Sequence, residues 1–462
     1  MSTNNSSKQT PTSLSKAFED ALENRSARQL RRKLTISPPN SHDFSSNDFL
    51  SLSRSPAFRA RFLAHLQHDQ QTAPADEHQL QQYHHPQHPQ GLASGGSRLL
   101  DGNSAFAEDL ERTIASFHRA ESALLFNSGY DANVGLLSCV PQLGDAIVYD
   151  ALAHASIHDG MRLSRASASA CLPFPHNAPE GLRGVLKELV SRWDRERRAK
   201  SNVGGKGSSR NIFVVVESVY SMDGDVAPVD RFCDVIDEVL PHGNGYLIID
   251  EAHATGIFGP RGAGVVQKLG QQQRVFIRVH TFGKALASHG AAVLCSSQTR
   301  DYLINYARSL IYTTALPFPA LASIRTAYEF LDSDECDELR SKLHRLIAYC
   351  HNSLMSIENS DGLSSRKLCL PRGSGNLLRV VTIKHEPSSP IFSVLTPFAL
   401  DLAATCRGRG FVVSAVRPPT VPAGTERVRV CLHSGNTVEA IDQFTAVVRS
   451  WVRGTDRFVA TL

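Results

Sequence analysis

Short aliphatic runs alternate with amphipathic stretches through the middle of the chain: Ala123–Phe126, Ala146–Tyr149, Ile212–Glu217, Tyr246–Ile249, Val275–His280 and Ala291–Cys295. Runs apolar at successive positions, rather than at alternate ones, predict strands covered on both faces. With helical stretches between them, they predict an α/β architecture on a mainly parallel sheet. Past Pro317 the pattern changes. Helical spacing runs from Ala320 to Ile357, strands are expected around 377–383, 411–416 and 427–432, and a helix from Pro397 to Arg407 lies between two of them. That is the pattern of a smaller α+β C-terminal domain.

The flanking segments read differently. Leu and Ala recur at helical spacing among arginines from Leu14 to Leu34, which predicts a basic amphipathic helix behind a polar start. Residues 67–90 are dominated by Gln, His and Pro, and residues 191–210 are charged and then Gly/Ser-rich; both are expected to be inserted surface loops. His84, His85 and His88 could bind a metal adventitiously, but a low-complexity linker is the preferred reading and no metal site is expected. The expected organisation is an N-terminal arm and helix over 1–66, the insertion 67–90, a large domain over 91–319 and a small domain over 320–462. No fixed-period repeat is visible.

Composition narrows the class without naming a chemistry. The 462 residues are 41% hydrophobic and 20% charged, with a formal charge of +4, which excludes a disordered or collagenous chain and gives no reason to expect a nucleic-acid or membrane partner. Nine cysteines without a CxxC pair argue against a disulfide framework or a structural zinc site. No apolar run approaches the roughly 18 residues a bilayer requires. The polar start lacks a signal-peptide core and the final Val-Ala-Thr-Leu does not match Ser-Lys-Leu, so a cytoplasmic location is expected, with a peroxisomal one left open.

Candidate chemistry gathers at the ends of the apolar runs. Lys284 follows one in His280-Thr-Phe-Gly-Lys284, where desolvation would lower its pKa and let it form a Schiff base with an aldehyde; a solvated strand-end lysine is the alternative. Asp250 closes another in Asp250-Glu-Ala-His253. A carboxylate there faces the crevice in which open α/β sheets bind ligands and could keep a pyridine nitrogen protonated, or it could simply cap a helix. Ser128-Gly129-Tyr130 turns from a strand into a helix whose first N–H groups would face an anion. His154 follows another strand and could lay its ring against a flat cofactor, or cap a helix.

Taken in order, these segments resemble the α-oxoamine synthases among the fold-type I pyridoxal-phosphate enzymes. The landmarks are Asp43-Phe-Ser-Ser-Asn-Asp-Phe-Leu50, Ser94-Gly-Gly-Ser97, Ser128 to Asn133, His154-Ala-Ser156, Glu217 to Asp225, Asp250 to His253, Thr281 to Lys284 and Arg417 to Arg429. The resemblance runs from about Ser41 to Val448. It implies pyridoxal 5'-phosphate held by Lys284, with Asp250 at the pyridine nitrogen, His154 stacked on the ring, and Ser221 and His253 at the phenolic oxygen. Ser128, Gly129, Tyr130 and Thr281 would hold the phosphate, with Thr314 reaching in from the second subunit of a homodimer. Arg429 would take the amino-acid carboxylate, Asn47 would line the substrate pocket and Arg31 would contact a thioester, although helix-surface charge explains Arg31 as well.

The resemblance further implies decarboxylative condensation of an amino acid with an acyl-CoA or acyl-carrier thioester. Residues 417–430 are most like the alanine-using members, which points to L-alanine and pimeloyl-CoA. Three departures border the expected pocket mouth: Ala107 where the family usually has histidine, Leu99-Leu-Asp-Gly102 in place of a more glycine- and histidine-containing stretch, and Ala287 with His289 after the lysine. They leave another acyl donor in a secondary pathway, or aminotransfer, as the alternative. A silent scaffold is disfavoured by the joint presence of Lys284, Asp250, His154 and Arg429.

Overall fold

The computed structural model describes residues 13–28, 30–71, 91–201, 210–360, 379–381 and 389–453. The chain divides into two compact units, Met1–Ser41 and His42–Leu462. Among the described residues the first contains one helix, Ser13–Ala27. This helix stops short of the expected Leu34: continuing it would bring Arg28, Arg31 and Arg32 together at i,i+3 and i,i+4 spacing, where like charges repel, and Thr35-Ile36 are β-branched, so neither favours another turn.

The second unit is organised by a seven-stranded sheet made of β2 (Ser122–Phe126), β3 (Ala146–Asp150), β4 (Cys171–Phe174), β5 (Ile212–Glu217), β6 (Gly245–Asp250), β7 (Ile277–Thr281) and β8 (Ala291–Cys295). Their order is β2-β8-β7-β6-β5-β3-β4, and only β8 runs against the others. The expected α/β, mainly parallel architecture is present. Alternate residues feed two separate cores, as the two-residue period of a strand demands. Phe213, Val215, Ile248, Ile277 and Val279 pack with the helices Gly129–Cys139 and Ala155–Arg162. Val214, Val216, Leu247 and Ile249 pack on the opposite face with the helices Ala105–Phe117, Pro179–Ser201 and Val229–Val239. All these strand residues are at least 96% buried, and each contributes about 1.5–3 kcal/mol of hydrophobic stabilisation.

A four-stranded antiparallel sheet, β12-β13-β10-β9, forms the C-terminal part from β9 (Arg379–Val381), β10 (Ile391–Leu395), β12 (Ser414–Val416) and β13 (Arg427–Cys431). The expected single strand over 411–416 is two: β11 (Phe411–Val412) pairs in parallel with β1 (His42–Asp43), whereas Ser414–Val416 pairs with β13. Val413, 1% exposed, is where the chain changes partner. β1, β4 and β10 had no counterpart among the expected strands. The long helical region is likewise broken, into Phe318–Leu331 and Asp334–Ser360, because Ser333 Oγ accepts the Cys336 N–H at 3.3 Å and starts the second helix.

The expected loop 191–210 is corrected in its first half, which continues the helix Pro179–Ser201. Leu182, Leu186 and Leu189 seat one face of that helix, and its Arg, Lys and Glu residues are good helix formers that a composition-based reading mistakes for loop. The first residues of the expected 67–90 insertion belong to the helix Pro56–Gln71. The rest of that insertion, with His84, His85 and His88, lies outside the described residues, as do the polar start 1–12 and residues 202–209. Among the described residues no helix is long and apolar enough to cross a membrane.

Candidate active site

Six strands that run the same way end along one edge of the large sheet, and the segments leaving them carry most of the candidate residues. β5 and β6 are in register, so Glu217 lies directly opposite Asp250. Both project to the face packed by the helices Gly129–Cys139 and Ala155–Arg162, as does Thr281 at the end of β7. Carboxylates and a lysine are thereby gathered where the sheet stops and its own strands no longer supply partners.

Lys284 Nζ lies 3.0 Å from His253 Nε2. Burial lowers the lysine pKa, with Arg429 adding to the effect, while the carboxylates of Asp250 and Glu217 oppose it. Burial also holds His253 well below its ordinary value, reinforced by Lys284, Arg429 and His154, so its ring is neutral. The Glu217 carboxyl is pushed well above the ordinary range, first by burial and then by repulsion from Asp250, although the His154 backbone N–H donates to it. These directions favour an uncharged amine on Lys284, which is the nucleophilic form.

Asp250 is 7% exposed and receives two hydrogen bonds, from Asn133 Nδ2 to Oδ2 at 2.7 Å and from the Ala252 N–H to Oδ1 at 2.9 Å. His154 caps the helix Ala155–Arg162, its Nδ1 accepting the Ser156 N–H at 3.2 Å. Desolvation lowers its pKa, partly countered by Asp250. Ser128 caps the helix Gly129–Cys139, its Oγ accepting the Asp131 N–H at 3.0 Å and leaving the first N–H groups of the helix free of that cap.

Gly129 sits against Thr281: a Cβ on Gly129 would come within 2.2 Å of Thr281 Oγ1, so this approach needs glycine. Thr281 Oγ1 and His253 Nδ1 are both buried without a hydrogen-bond partner in the protein. A threonine hydroxyl orphaned beside a helix N-terminus is a seat for an anionic group, and His253 Nδ1, on the ring whose Nε2 faces Lys284, is a seat for a polar one. The donor set therefore fits pyridoxal phosphate.

Across from these residues, Arg429 on β13 donates through Nε to the Ser221 carbonyl at 2.5 Å and through Nη2 to Asn47 Oδ1 at 3.0 Å. It is 8% exposed. Its neighbour Arg427 is occupied by Asp223. The structure thus brings together Lys284, His253, Asp250, His154, Thr281 and Gly129 at the sheet edge, and Arg429, Asn47 and Ser221 beside it. The Tyr130 side chain turns outward, its hydroxyl donating to Asp159. Thr314 presents an exposed side chain while its carbonyl accepts from Asn127 Nδ2 at 2.9 Å. Arg31 belongs to the first unit, and every residue of this site to the second.

Four residues near the site carried no role in the sequence reading: Asn133, Ser156, Glu217 and Asn127. The first three stand inside the quoted motifs, but nothing in their spacing says which residue of another strand they face. His176 is a fifth. It bridges Asp150 at 2.8 Å and Asp225 at 2.7 Å, and those carboxylates raise its pKa to about 10 against the cost of burial.

Residues 44–448 match the family described as aminotransferase class I and II. The chain is 53% identical to an 8-amino-7-oxononanoate synthase of Emericella nidulans over 98% of its own length and 99% of that protein's. It is 36% identical to the aminoacyl transferase sphA of Aspergillus fumigatus, over 93% and 86% of the respective chains. A solved serine palmitoyltransferase from S. paucimobilis superposes with a TM-score of 0.74 at 22% identity, covering 97% of this chain and all of that one.

Proposed function

Since the chain belongs to the aminotransferase class I and II family and is a pyridoxal-phosphate-dependent acyltransferase of fold type I, we propose that it condenses L-alanine with pimeloyl-CoA, releasing carbon dioxide and coenzyme A and giving 8-amino-7-oxononanoate, a step of biotin biosynthesis. Its substrates are an amino acid and an acyl thioester. The observation that carries the chemistry is the half-buried Lys284 beside neutral His253, with orphaned Thr281 Oγ1 on the Gly129 side of the same site.

We assign Lys284 to the aldehyde of the cofactor, Asp250 to its pyridine nitrogen, His154 to its ring face, and Ser128, Gly129, Tyr130 and Thr281 to its phosphate. Bound there, pyridoxal phosphate supplies the electron sink that stabilises negative charge at the amino-acid Cα. Arg429, held at Nε and Nη2, would orient the substrate carboxylate, a geometry suited to a planar guanidinium. Lys284, its ammonium disfavoured by burial, would take the α-proton on Nζ. His253, neutral and 3.0 Å away, would hold or return that proton, and with Ser221 it would address the phenolic oxygen. Asn47 fixes Arg429 and lines the amino-acid pocket.

The exposed side chain of Thr314 supports a homodimer in which it reaches the neighbouring subunit's phosphate; gel filtration of a monomer that binds cofactor fully would contradict this. We assign residues 91–319 to the cofactor domain and 320–462 to the small domain, and keep Arg31 as a thioester contact and the cytoplasm as the compartment. A different acyl donor is the second reading, supported by the sphA relative and by Leu99 and Leu100, 49% and 78% exposed. Thiol release from thioesters of graded length, each with alanine, glycine or serine, separates the two. The expected result is release with alanine and pimeloyl-CoA, with the visible cofactor band absent in Lys284→Ala. Release only with glycine and short donors would overturn the alanine–pimeloyl assignment.

A further inference from the structure

Asn133 and Ser156 are 3% and 0% exposed and lie between two residues already assigned to the cofactor. Asn133 Nδ2 is 2.7 Å from Asp250 Oδ2 and 3.0 Å from Ser156 Oγ, and Ser156 Oγ is 2.8 Å from His154 Nδ1. Proton counting orders the chain. An ionised Asp250 accepts only, so the Asn133 amide turns its NH₂ toward it and uses the second N–H on Ser156 Oγ. Ser156, its oxygen accepting from Asn133, then has its single O–H to donate to His154 Nδ1. That nitrogen also accepts the Ser156 backbone N–H at 3.2 Å. With two donors on Nδ1, the neutral ring must carry its proton on Nε2.

We propose that Asn133 and Ser156 are positioning residues that join Asp250 and His154 into one hydrogen-bonded unit, fixing the carboxylate at the pyridine edge and the imidazole, as its Nε2–H tautomer, on the ring face. This rests on the assignment of pyridoxal phosphate to the site. Asn133 stands four residues after Gly129 on one helix, one turn along the same face, so the element that opens the phosphate seat also anchors the far end of the cofactor's footprint. The link is buried and each of its polar hydrogens has a defined acceptor, the condition under which a polar network specifies a single geometry.

The test uses holoenzyme saturated with pyridoxal phosphate. Ser156→Ala removes the middle of the chain without touching Asp250 or His154. It should keep the visible cofactor band while lowering its induced circular dichroism severalfold and kcat about tenfold, with KM for alanine within about twofold. Ser156→Thr, which keeps the hydroxyl, should recover most of both signals. Asn133→Ala combined with Ser156→Ala should cost little more than Asn133→Ala alone, because residues of one unit are not additive. Dichroism and kcat of Ser156→Ala within twofold of wild type, equal losses in Ser156→Ala and Ser156→Thr, or fully additive losses in the double variant would each overturn the proposal. Should the Asn133 variant fail to fold, the Ser156 pair decides. A wild-type protein with no visible band in saturating pyridoxal phosphate would instead remove the cofactor reading, and the proposal with it.

Discussion

Asp250 and Glu251 are adjacent acids at the end of β6, yet the strand sends them to opposite faces of the sheet and they have little else in common. Glu251, fully buried, accepts the Val265 and Val266 N–H groups at 2.9 and 2.8 Å and the Ser218 hydroxyl at 2.9 Å. Its carboxylate closes the N-terminus of a short helix, and every donor it meets belongs to the protein. Asp250 meets two protein donors and otherwise looks across to Glu217, Lys284 and His154. One strand over, His280 packs tilted against His118 inside the core, ring centroids 3.9 Å apart, with its Nδ1 on the Thr255 hydroxyl at 2.9 Å, while Thr281 turns its unpartnered hydroxyl to the site. For the two acids, then, one face of the sheet edge is closed by the protein's own donors, and the other leaves Asp250 among groups that can meet a ligand.

Changing the two acids separately is the sharpest way to break this contrast. Asp250→Asn keeps shape and burial but removes the charge that would protonate a pyridine nitrogen. Turnover should fall by about 10²–10⁴-fold, with the unfolding midpoint in urea close to that of wild type. A loss of stability matching the loss of turnover would mean that Asp250 is a structural acid like its neighbour. Glu251→Ala should do the reverse. It strands two buried N–H groups and a hydroxyl, costing about 2–4 kcal/mol by urea denaturation, while the protein that remains folded keeps its visible cofactor band. Disappearance of the band from folded Glu251→Ala would erase the distinction.

A third carboxylate extends the comparison to pH. Asp150, ending β3, is closed by His176, whose ring also bridges Asp225. The folded pKa of His176, about 10, lies above the ordinary 6.5 of an unfolded histidine. The stabilisation from this charge is therefore fully present below pH 6.5 and is lost as pH rises toward 10, by on the order of 3 kcal/mol. Chemical denaturation of wild type and His176→Gln at intervals from pH 6 to 10 should show their difference narrowing over that window. A difference constant with pH would show that His176 is neutral and the bridge an ordinary pair of hydrogen bonds.

How much of this was legible in the sequence follows from what each feature depends on. The parallel sheet announces itself because its strands are apolar on both sides, and Lys284, Asp250, His253 and His154 announce themselves because each follows a strand in a motif of small or polar residues. The Asn133–Ser156 link does not, since it joins two helices that meet only after β2, β3 and β6 are assembled. In the sequence Glu217 is a strand terminus and motif member; its place opposite Asp250 depends on the β5–β6 register, which no local pattern records. The continuation of a helix to Ser201 was hidden by composition, and the division of 411–416 by the burial of one residue, Val413.

Within the anion seat the contrast between backbone and side chain gives the mildest prediction. Gly129 is required for the close approach to Thr281, and the proposed seat would consist of backbone N–H groups and one hydroxyl. On the proposed assignment Tyr130 would lend its N–H to that seat, while its ring stays 46% exposed and its hydroxyl bonds Asp159 at the surface. Tyr130→Phe removes only that exposed hydrogen bond, of a kind that contributes little in water. The dissociation constant for pyridoxal phosphate should therefore stay within about twofold of wild type, and the thermal midpoint should hardly move. A tenfold weaker affinity would mean that the Tyr130–Asp159 pair steers the helix N-terminus itself, making the side chain at this position as much a part of the seat as the glycine before it.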